Sequence, residues 1–414
     1  MDQATELRWY EALQQILAGS HRWRPDEIAP ALDVVMARLG VRTRIWVVNY
    51  EQTALTPLSQ PGPAPDVLPI DGTLPGRVFT RVRSAPTGDG PGYRWWTPMV
   101  DGTDRLGVIE FVGGDAAVAR EEGFPERCEM VAGLVGHLMN STKQRGDHLE
   151  RARRSQPMST AAELLWASLP PLTASFDRAV ISTVLQPCYD VGGDGFDYAV
   201  DDGVMWLAVL DAAGRGLEAG LTCTVALAAL RAARRAGGGL IDQARAVDTA
   251  LTGQFRDSRF ATAVLAELHL DTGRLRYLNA GHPAPVVLRG GHAVLELKAG
   301  RRLPLGLPDA AAEVAEEAFE PDDRLLLYTD GVTEARTAGG ERFGLPRTID
   351  LVERNAAAGL PAPEAVRRLA LAVIEHQGGP PADDATLMLV EWSAAASLNT
   401  LPTATQPDEI EEPA

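Results

Sequence analysis

Apolar positions recur at helical spacing twice near the start of the chain. Leu7–Ala18 and Pro25–Leu39 each predict an amphipathic helix, the second with Asp26 and Glu27 in its first turn, where acids favour the exposed amides. Arg44–Tyr50 (RIWVVNY) reads as a strand. A Pro/Gly-rich loop follows over Pro57–Pro69. Tyr93–Val100 and Arg105–Phe111 then predict two strands joined by a turn at Asp101-Gly102. Helical spacing returns over Glu121–Leu169, through Met130, Leu134, Leu138 and Leu149. Ser141–Ser155 is dense in charge, and the natural expectation is a connecting helix paired across a dimer. Ala161–Leu169 (AAELLWASL) predicts a short helix that Pro170-Pro171 stops. From Val180 to Trp392 the pattern becomes strand-like, with apolar runs at Val204–Leu210, Arg324–Thr329 and Ala385–Trp392 and a hairpin over Phe260–Leu270 and Arg274–Asn279. A helix is expected over Leu217–Ala236. Ser397–Ala414 is polar, acidic and Pro-containing, which predicts disorder. The fold class expected is α+β, with segments 1–140, 141–175, 176–394 and a tail at 395–414.

Composition narrows the function classes. The 414 residues carry 39 basic and 56 acidic side chains, a formal net charge of −17. That balance argues against nucleic-acid binding, which needs a basic footprint, and against docking on an anionic membrane. Cys128, Cys188 and Cys223 are odd in number and form no CxxC pair, so buried thiols in a reducing cytoplasm are expected rather than disulfides or zinc. The segment Met1–Gln15 is polar, and no apolar run reaches the roughly 18 residues of a membrane span.

The candidate chemistry lies in four aspartate clusters. Asp194 follows Gly192-Gly193 in the stretch DVGGDGFD. Asp211 ends an apolar run and precedes Ala212-Ala213-Gly214-Arg215-Gly216. Asp330-Gly331 ends another run, and Asp383-Asp384 opens a third. Any one Asp-Gly pair is most often a turn. Together, carboxylates at strand ends beside glycines can converge at one rim of a sheet, where they repel one another unless cations are bound. An all-oxygen donor set suits Mg²⁺ or Mn²⁺ better than zinc. His282, at the hairpin end, has two open readings, catalytic or structural. Cys188 and Cys223 look buried, so neither stands out as a nucleophile.

Two resemblances follow from these motifs. The first half, with G-T-L-P-G-R-V-F (72–79), W-T-P (96–98) and R-L-G-V-I-E-F (105–111), resembles a GAF sensor domain. Trp46, Trp95 and Trp96 are expected in its core rather than in a ligand cage. The order G-G-D (192–194), L-D-A-A-G-R-G (210–216), F-A-T (260–262), N-A-G-H-P (279–283), P-L-G-L (304–307), Y-T-D-G-V-T-E-A-R (328–336) and D-D-A-T (383–386) resembles the SpoIIE-type branch of the metal-dependent protein phosphatases, relatives of protein phosphatase 2C. The likeness covers Val180–Trp392. Arg215 stands where the family usually has His, and Asp384 stands where it has Asn.

That resemblance implies a β-sandwich flanked by helices and a two-metal centre holding Mn²⁺ or Mg²⁺. Asp211 would bridge the ions, the Ala212 carbonyl would add a ligand, Asp330 and Asp383 would complete one ion, and Asp194 would hold the other through water. Asp384 is the less certain neighbour. The reaction implied is hydrolysis of phosphoserine or phosphothreonine by a metal-activated water. The substrate implied is a small phosphorylated STAS-type antagonist of an anti-sigma factor. A homodimer, formed through the linker helix and the GAF-like domain, is the expected assembly, with Ala161–Leu169 as the switch element. A phosphoprotein-binding scaffold without activity is the alternative, and a diguanylate cyclase a remote one. The cyclase signature needs Glu where Gly195 stands.

Overall fold

The computed structural model describes residues 3–58, 66–87, 93–113, 121, 123–190, 192–255, 259–379, 381, 383–393, 395–396 and 400–404. The chain divides into two compact units, Met1–Ser155 with Asn399–Ala414, and Gln156–Leu398.

In the first unit, helices α1 (Gln3–Ser20) and α2 (Ile28–Ala37) precede β1 (Val41–Val48), β2 (Ala54–Pro57) and β3 (Leu68–Pro69). Helix α3 (Leu74–Arg81), strands β4 (Arg83–Thr87), β5 (Tyr93–Asp101) and β6 (Asp104–Gly113), and helices α4 (Phe124–Thr142) and α5 (His148–Ala152) complete it. The strands form one antiparallel sheet in the order β4-β5-β6-β1-β2-β3. Its two faces bury separate cores. Trp9, Ile16, Leu32 and Met36 from α1 and α2 meet Val131, Val135 and Leu138 of α4 on one face. Val78 and Phe79 of α3 meet Trp46 and Trp96 on the other, their ring centroids 5.1 Å apart. Trp95 joins the first core, so all three tryptophans are buried.

The segment expected to be a connecting helix is broken. Helix α4 stops at Thr142, Gly146 is fully extended (φ 175°, ψ 163°), and a stretch without regular structure runs from Ser155 to Ser159. Glycine costs a helix about 1 kcal/mol relative to alanine, and Pro157 cannot continue one. The tail also departs from expectation: Thr403–Ala404 pair in parallel with Arg83–Ser84 at the edge of the sheet, while residues 405–414 lie outside the described residues.

The second unit opens with α6 (Thr160–Trp166), whose first turn is capped by the Ser159 hydroxyl accepting from Ala162 N at 3.2 Å. Then come β7 (Thr173–Phe176), β8 (Ala179–Gln186), β9 (Asp194–Asp201), β10 (Val204–Ala212), α7 (Gly216–Arg235), α8 (Leu240–Gln254), β11 (Ala261–His269) and β12 (Arg274–Ala280). The remainder is β13 (Val286–Arg289), β14 (His292–Glu296), β15 (Arg301–Arg302), β16 (Ala315–Ala318), β17 (Arg324–Tyr328), the single turn α9 (Asp330–Thr333), α10 (Gly344–Ala357), α11 (Ala362–Gln377) and β18 (Ala385–Trp392).

Two sheets result, β15-β12-β11-β10-β9 with β16 also on β12, and β14-β13-β17-β18-β8-β7. Strand alternation assigns each side chain a layer. Met205, Leu207 and Val209 of β10 meet Leu325, Leu327, Met388 and Val390 between the sheets. Ala208 and Leu210 face Cys223, Leu227 and Val247 of α7 and α8. On the other outer face, Val180, Leu326 and Leu389 meet Val366, Leu369 and Val373 of α11. The unit is therefore an α–β–β–α sandwich, and each fully buried aliphatic side chain contributes roughly 1.5–3 kcal/mol. Helix α7 is the one described helix long and apolar enough to cross a membrane; here its apolar stripe of Ala219, Cys223, Ala226, Leu227 and Leu230 is buried in this layer.

Candidate active site

The same alternation that builds the inter-sheet core gathers the acids at its end. Strand β10 runs on through Asp211 to Ala212 rather than stopping at Leu210. Asp211 shares the parity of Leu207 and Val209 and so emerges where the apolar core gives out. Asp194 of β9 is its direct partner on one side and Thr262 of β11 on the other. From the opposing sheet, Thr329 follows Leu325 and Leu327 in parity, and Thr386 precedes Met388 and Val390. The sheets are tied at this point: Thr329 Oγ1 donates to Asp194 Oδ2 at 2.6 Å, and Thr386 N donates to Thr329 Oγ1 at 2.9 Å. Asp330 opens α9 directly after Thr329, and Asp383 and Asp384 precede β18.

Exposure is graded across the cluster. Asp194 and Asp384 are buried, Asp211 is half-buried, and Asp330 and Asp383 are exposed. Burial, then the charges of Asp330, Asp383 and Asp384, push the Asp211 carboxyl up to about 7. Burial, then Asp211 and Asp384, hold Asp194 well above the ordinary carboxylate range. Asp330, although exposed, is raised by partial desolvation and then by Asp383. Asp384 is raised by burial too, opposed by the amides it accepts from.

Desolvation and like-charge repulsion both disfavour ionised carboxylates, and a cation among them would favour ionisation. Among the described residues no three acids close into one compact ligation shell. The fit to cations thus rests on the donor chemistry. An all-oxygen set suits Mg²⁺ or Mn²⁺, and divalent charge would reverse both effects that now oppose ionisation.

Close backbone approach explains two of the glycines. A Cβ on Gly193 would stand 2.4 Å from the carbonyl oxygen of Ala212, whose N–H donates to Gly193 O at 3.1 Å. A Cβ on Gly195 would stand 2.5 Å from Cys223 Sγ on α7. The glutamate of a cyclase signature has no room there, and Gly192-Gly193 leads into a packed strand.

The remaining candidates lie elsewhere. Asp197, the last acid of the DVGGDGFD stretch, faces the helices and accepts from Arg231 Nε at 2.9 Å and Arg234 Nη1 at 2.6 Å. Arg215 is exposed, and Cys188 and Cys223 are buried. His282 is buried, its Nδ1 2.7 Å from Thr262 Oγ1. A cavity of about 600 Å³ opens beside Trp206, Tyr198, Asp197, Arg231 and Arg234, away from the carboxylates. Sequence reasoning missed Thr329 and Thr386 as partners in the acid cluster. The signal available was strand alternation, which puts a hydroxyl in phase with the core immediately before Asp330 and shortly after Asp384.

Comparison with known proteins shows what the second unit is similar to. Residues 201–393 match the model of the stage II sporulation protein E (SpoIIE) family. Over these residues the chain is similar to that family and to two phosphoserine phosphatases. The phosphoserine phosphatase RsbU of Bacillus subtilis (strain 168) is 25% identical over 174 residues, 41% of this chain and 52% of that protein. The phosphoserine phosphatase RsbP of the same organism is 27% identical over 166 residues, 38% of this chain and 40% of that protein. Among solved structures, the SiaA-PP2C domain of Pseudomonas aeruginosa superposes with a TM-score of 0.49 at 24% identity, covering 61% of this chain and 99% of that one. The chain spans about half, or less, of the length of the curated relatives it matches.

Proposed function

We propose that this chain is a metal-dependent protein serine/threonine phosphatase. The observation that carries the reading is the convergence of Asp194, Asp211, Asp330 and Asp383 on the open end of the sandwich core, where burial and neighbouring carboxylates oppose ionisation of Asp194 and Asp211. In this reading Asp211, Asp330 and Asp383 with the Ala212 carbonyl hold divalent ions, Mn²⁺ or Mg²⁺, and Asp194 holds one through water. Such ions, when bound, acidify a water nucleophile and neutralise charge on a phosphoryl group. The protein supplies placement: Thr329 fixes the rotamer of Asp194, and Gly193 leaves the Ala212 carbonyl clear. The buried thiol of Cys223 is pushed above its ordinary range by burial and plays no nucleophilic part.

The substrate proposed is a phosphorylated STAS-type antagonist of an anti-sigma factor. Support comes from the relatives, two of which are named phosphoserine phosphatases. The first unit, GAF-like in its helix–sheet–helix build, is proposed to sense a signal, to dimerise together with the linker helices, and to control the second. Helix α6 is the proposed switch. Ser159 N donates to Tyr189 O at 2.8 Å and Trp166 Nε1 donates to Cys188 O at 2.8 Å, which ties α6 to the backbone just ahead of Asp194.

The test is hydrolysis of p-nitrophenyl phosphate with added Mn²⁺. Turnover is expected in the wild-type chain and loss to background in Asp211→Asn. Near-wild-type turnover in that variant with metal present would refute the assignment, and metal binding without turnover on any phosphoester would favour a scaffold.

A further inference from the structure

Asp384 differs from the other acids of the cluster in gathering several backbone amides on one carboxylate oxygen. Its Oδ2 accepts from three successive amides, Gly192 N at 2.6 Å, Gly193 N at 2.6 Å and Asp194 N at 3.2 Å. Consecutive N–H groups converging on one oxygen make an anion nest, and a charged acceptor makes each bond about twice as strong as a neutral one. The nest joins the two sheets, since Gly192–Asp194 leads into β9 and Asp384 leads into β18. It also fits tightly: a Cβ on Gly192 would stand 3.2 Å from the same oxygen. Asp384 is 8% exposed, whereas its neighbour Asp383 is exposed.

We propose that Asp384 is a positioning residue, holding the Gly192–Asp194 loop so that Asp194 and the Ala212 carbonyl face the ions, and that it is not itself a metal ligand. The inference rests on the metal-centre reading above. Two contacts carry the effect onward. Gly193 O accepts from Ala212 N at 3.1 Å, which fixes the peptide whose carbonyl is a proposed ligand. Asp194, third in the nest, is clamped at its side chain by Thr329. A loop freed from Asp384 would let both donors drift without removing either. Asparagine at this position keeps an oxygen acceptor of the same shape and loses only the charge, whereas alanine removes the acceptor.

The experiment uses the full chain. Mn²⁺ binding is measured by isothermal titration calorimetry for wild type, Asp384→Ala, Asp384→Asn and Asp383→Asn, with hydrogen exchange at the Gly192–Asp194 amides followed in each. Asp384→Ala is expected to weaken Mn²⁺ binding roughly 10–100-fold, the range for residues that orient ligands, and to speed exchange in the loop. Asp384→Asn should recover most of the affinity and protection. Asp383→Asn should lose metal while leaving loop exchange unchanged. If Asp384→Ala does not fold, Asp384→Asn and Gly192→Ala carry the comparison, the latter crowding the nest from its other side. Loss of metal in Asp384→Asn as complete as in Asp383→Asn, with the loop still protected, would make Asp384 a ligand and overturn the proposal. Wild-type affinity and protection in Asp384→Ala would overturn it as well. A wild-type chain that takes up no Mn²⁺ would instead overturn the metal-centre reading beneath it.

Discussion

At the scale of single residues, His282 shows what the fold adds to a motif. Burial pushes its imidazole down to about 3, with the Tyr328 backbone only partly offsetting this. The folded state therefore keeps the ring neutral while the unfolded chain, with an ordinary histidine near 6.5, takes a proton as the pH falls. Unfolding then binds protons, so stability is full above about 6.5 and is lost progressively toward 3, with a slope of up to about 1.4 kcal/mol per pH unit. Between pH 7 and 5 this amounts to about 2 kcal/mol. Urea midpoints of wild type and His282→Gln across that window are expected to diverge, with the variant losing less stability. Parallel profiles would show that His282 does not titrate there. The sequence left its catalytic and structural roles open because N-A-G-H-P does not reveal which strand the hairpin end meets. The fold adds a contact with Thr262, which lies directly across from Asp211 in register. The aspartates themselves were legible as strand-end acids beside glycines, whereas Thr329 and the Asp384 nest join segments 135 and up to 192 residues apart, which no local pattern encodes.

At the scale of elements, strands and helices in the second unit were legible because their apolar periods are clean. Ala385–Trp392 is strand β18 to the residue, and the helix expected at Leu217–Ala236 is α7, one residue earlier. The linker was not legible, because charged helical repeats continue in sequence past points where Gly146 and Pro157 end them in space. The short helix expected at Ala161–Leu169 is α6, at Thr160–Trp166, a separate helix held by its own contacts. Leu165 is fully buried against Leu227 and Ala162 in the helical layer, and Trp166 Nε1 reaches Cys188 O. Trp166→Phe keeps an aromatic ring but deletes that bond and part of the indole's volume, so a stability loss of at least about 0.5–1.5 kcal/mol is expected. If α6 sets the Gly192–Asp194 loop, the variant should also weaken Mn²⁺ binding by calorimetry. A stability loss with unaltered Mn²⁺ affinity would leave α6 a structural brace and remove it as the switch.

At the scale of the whole chain, each unit carries its own cores. The two clusters of the first unit run from Trp9 to Leu149 and from Trp46 to Val108. The three of the second draw every member from between Ala162 and Ala396. A fragment spanning 156–398 keeps all three of its layers' cores and every proposed metal donor, so it is expected to fold, to bind Mn²⁺ and to hydrolyse p-nitrophenyl phosphate. Control by the first unit would appear as a difference in turnover between fragment and full chain, of the roughly 5- to 150-fold size typical of coupling between sites. Higher turnover in the fragment would mean that the first unit restrains the catalytic one. Lower turnover would mean that it activates. Equal turnover and equal Mn²⁺ affinity would remove the regulatory half of the proposal while leaving the phosphatase intact, because the acids, their hydroxyl partners and the nest that positions them all belong to the second unit.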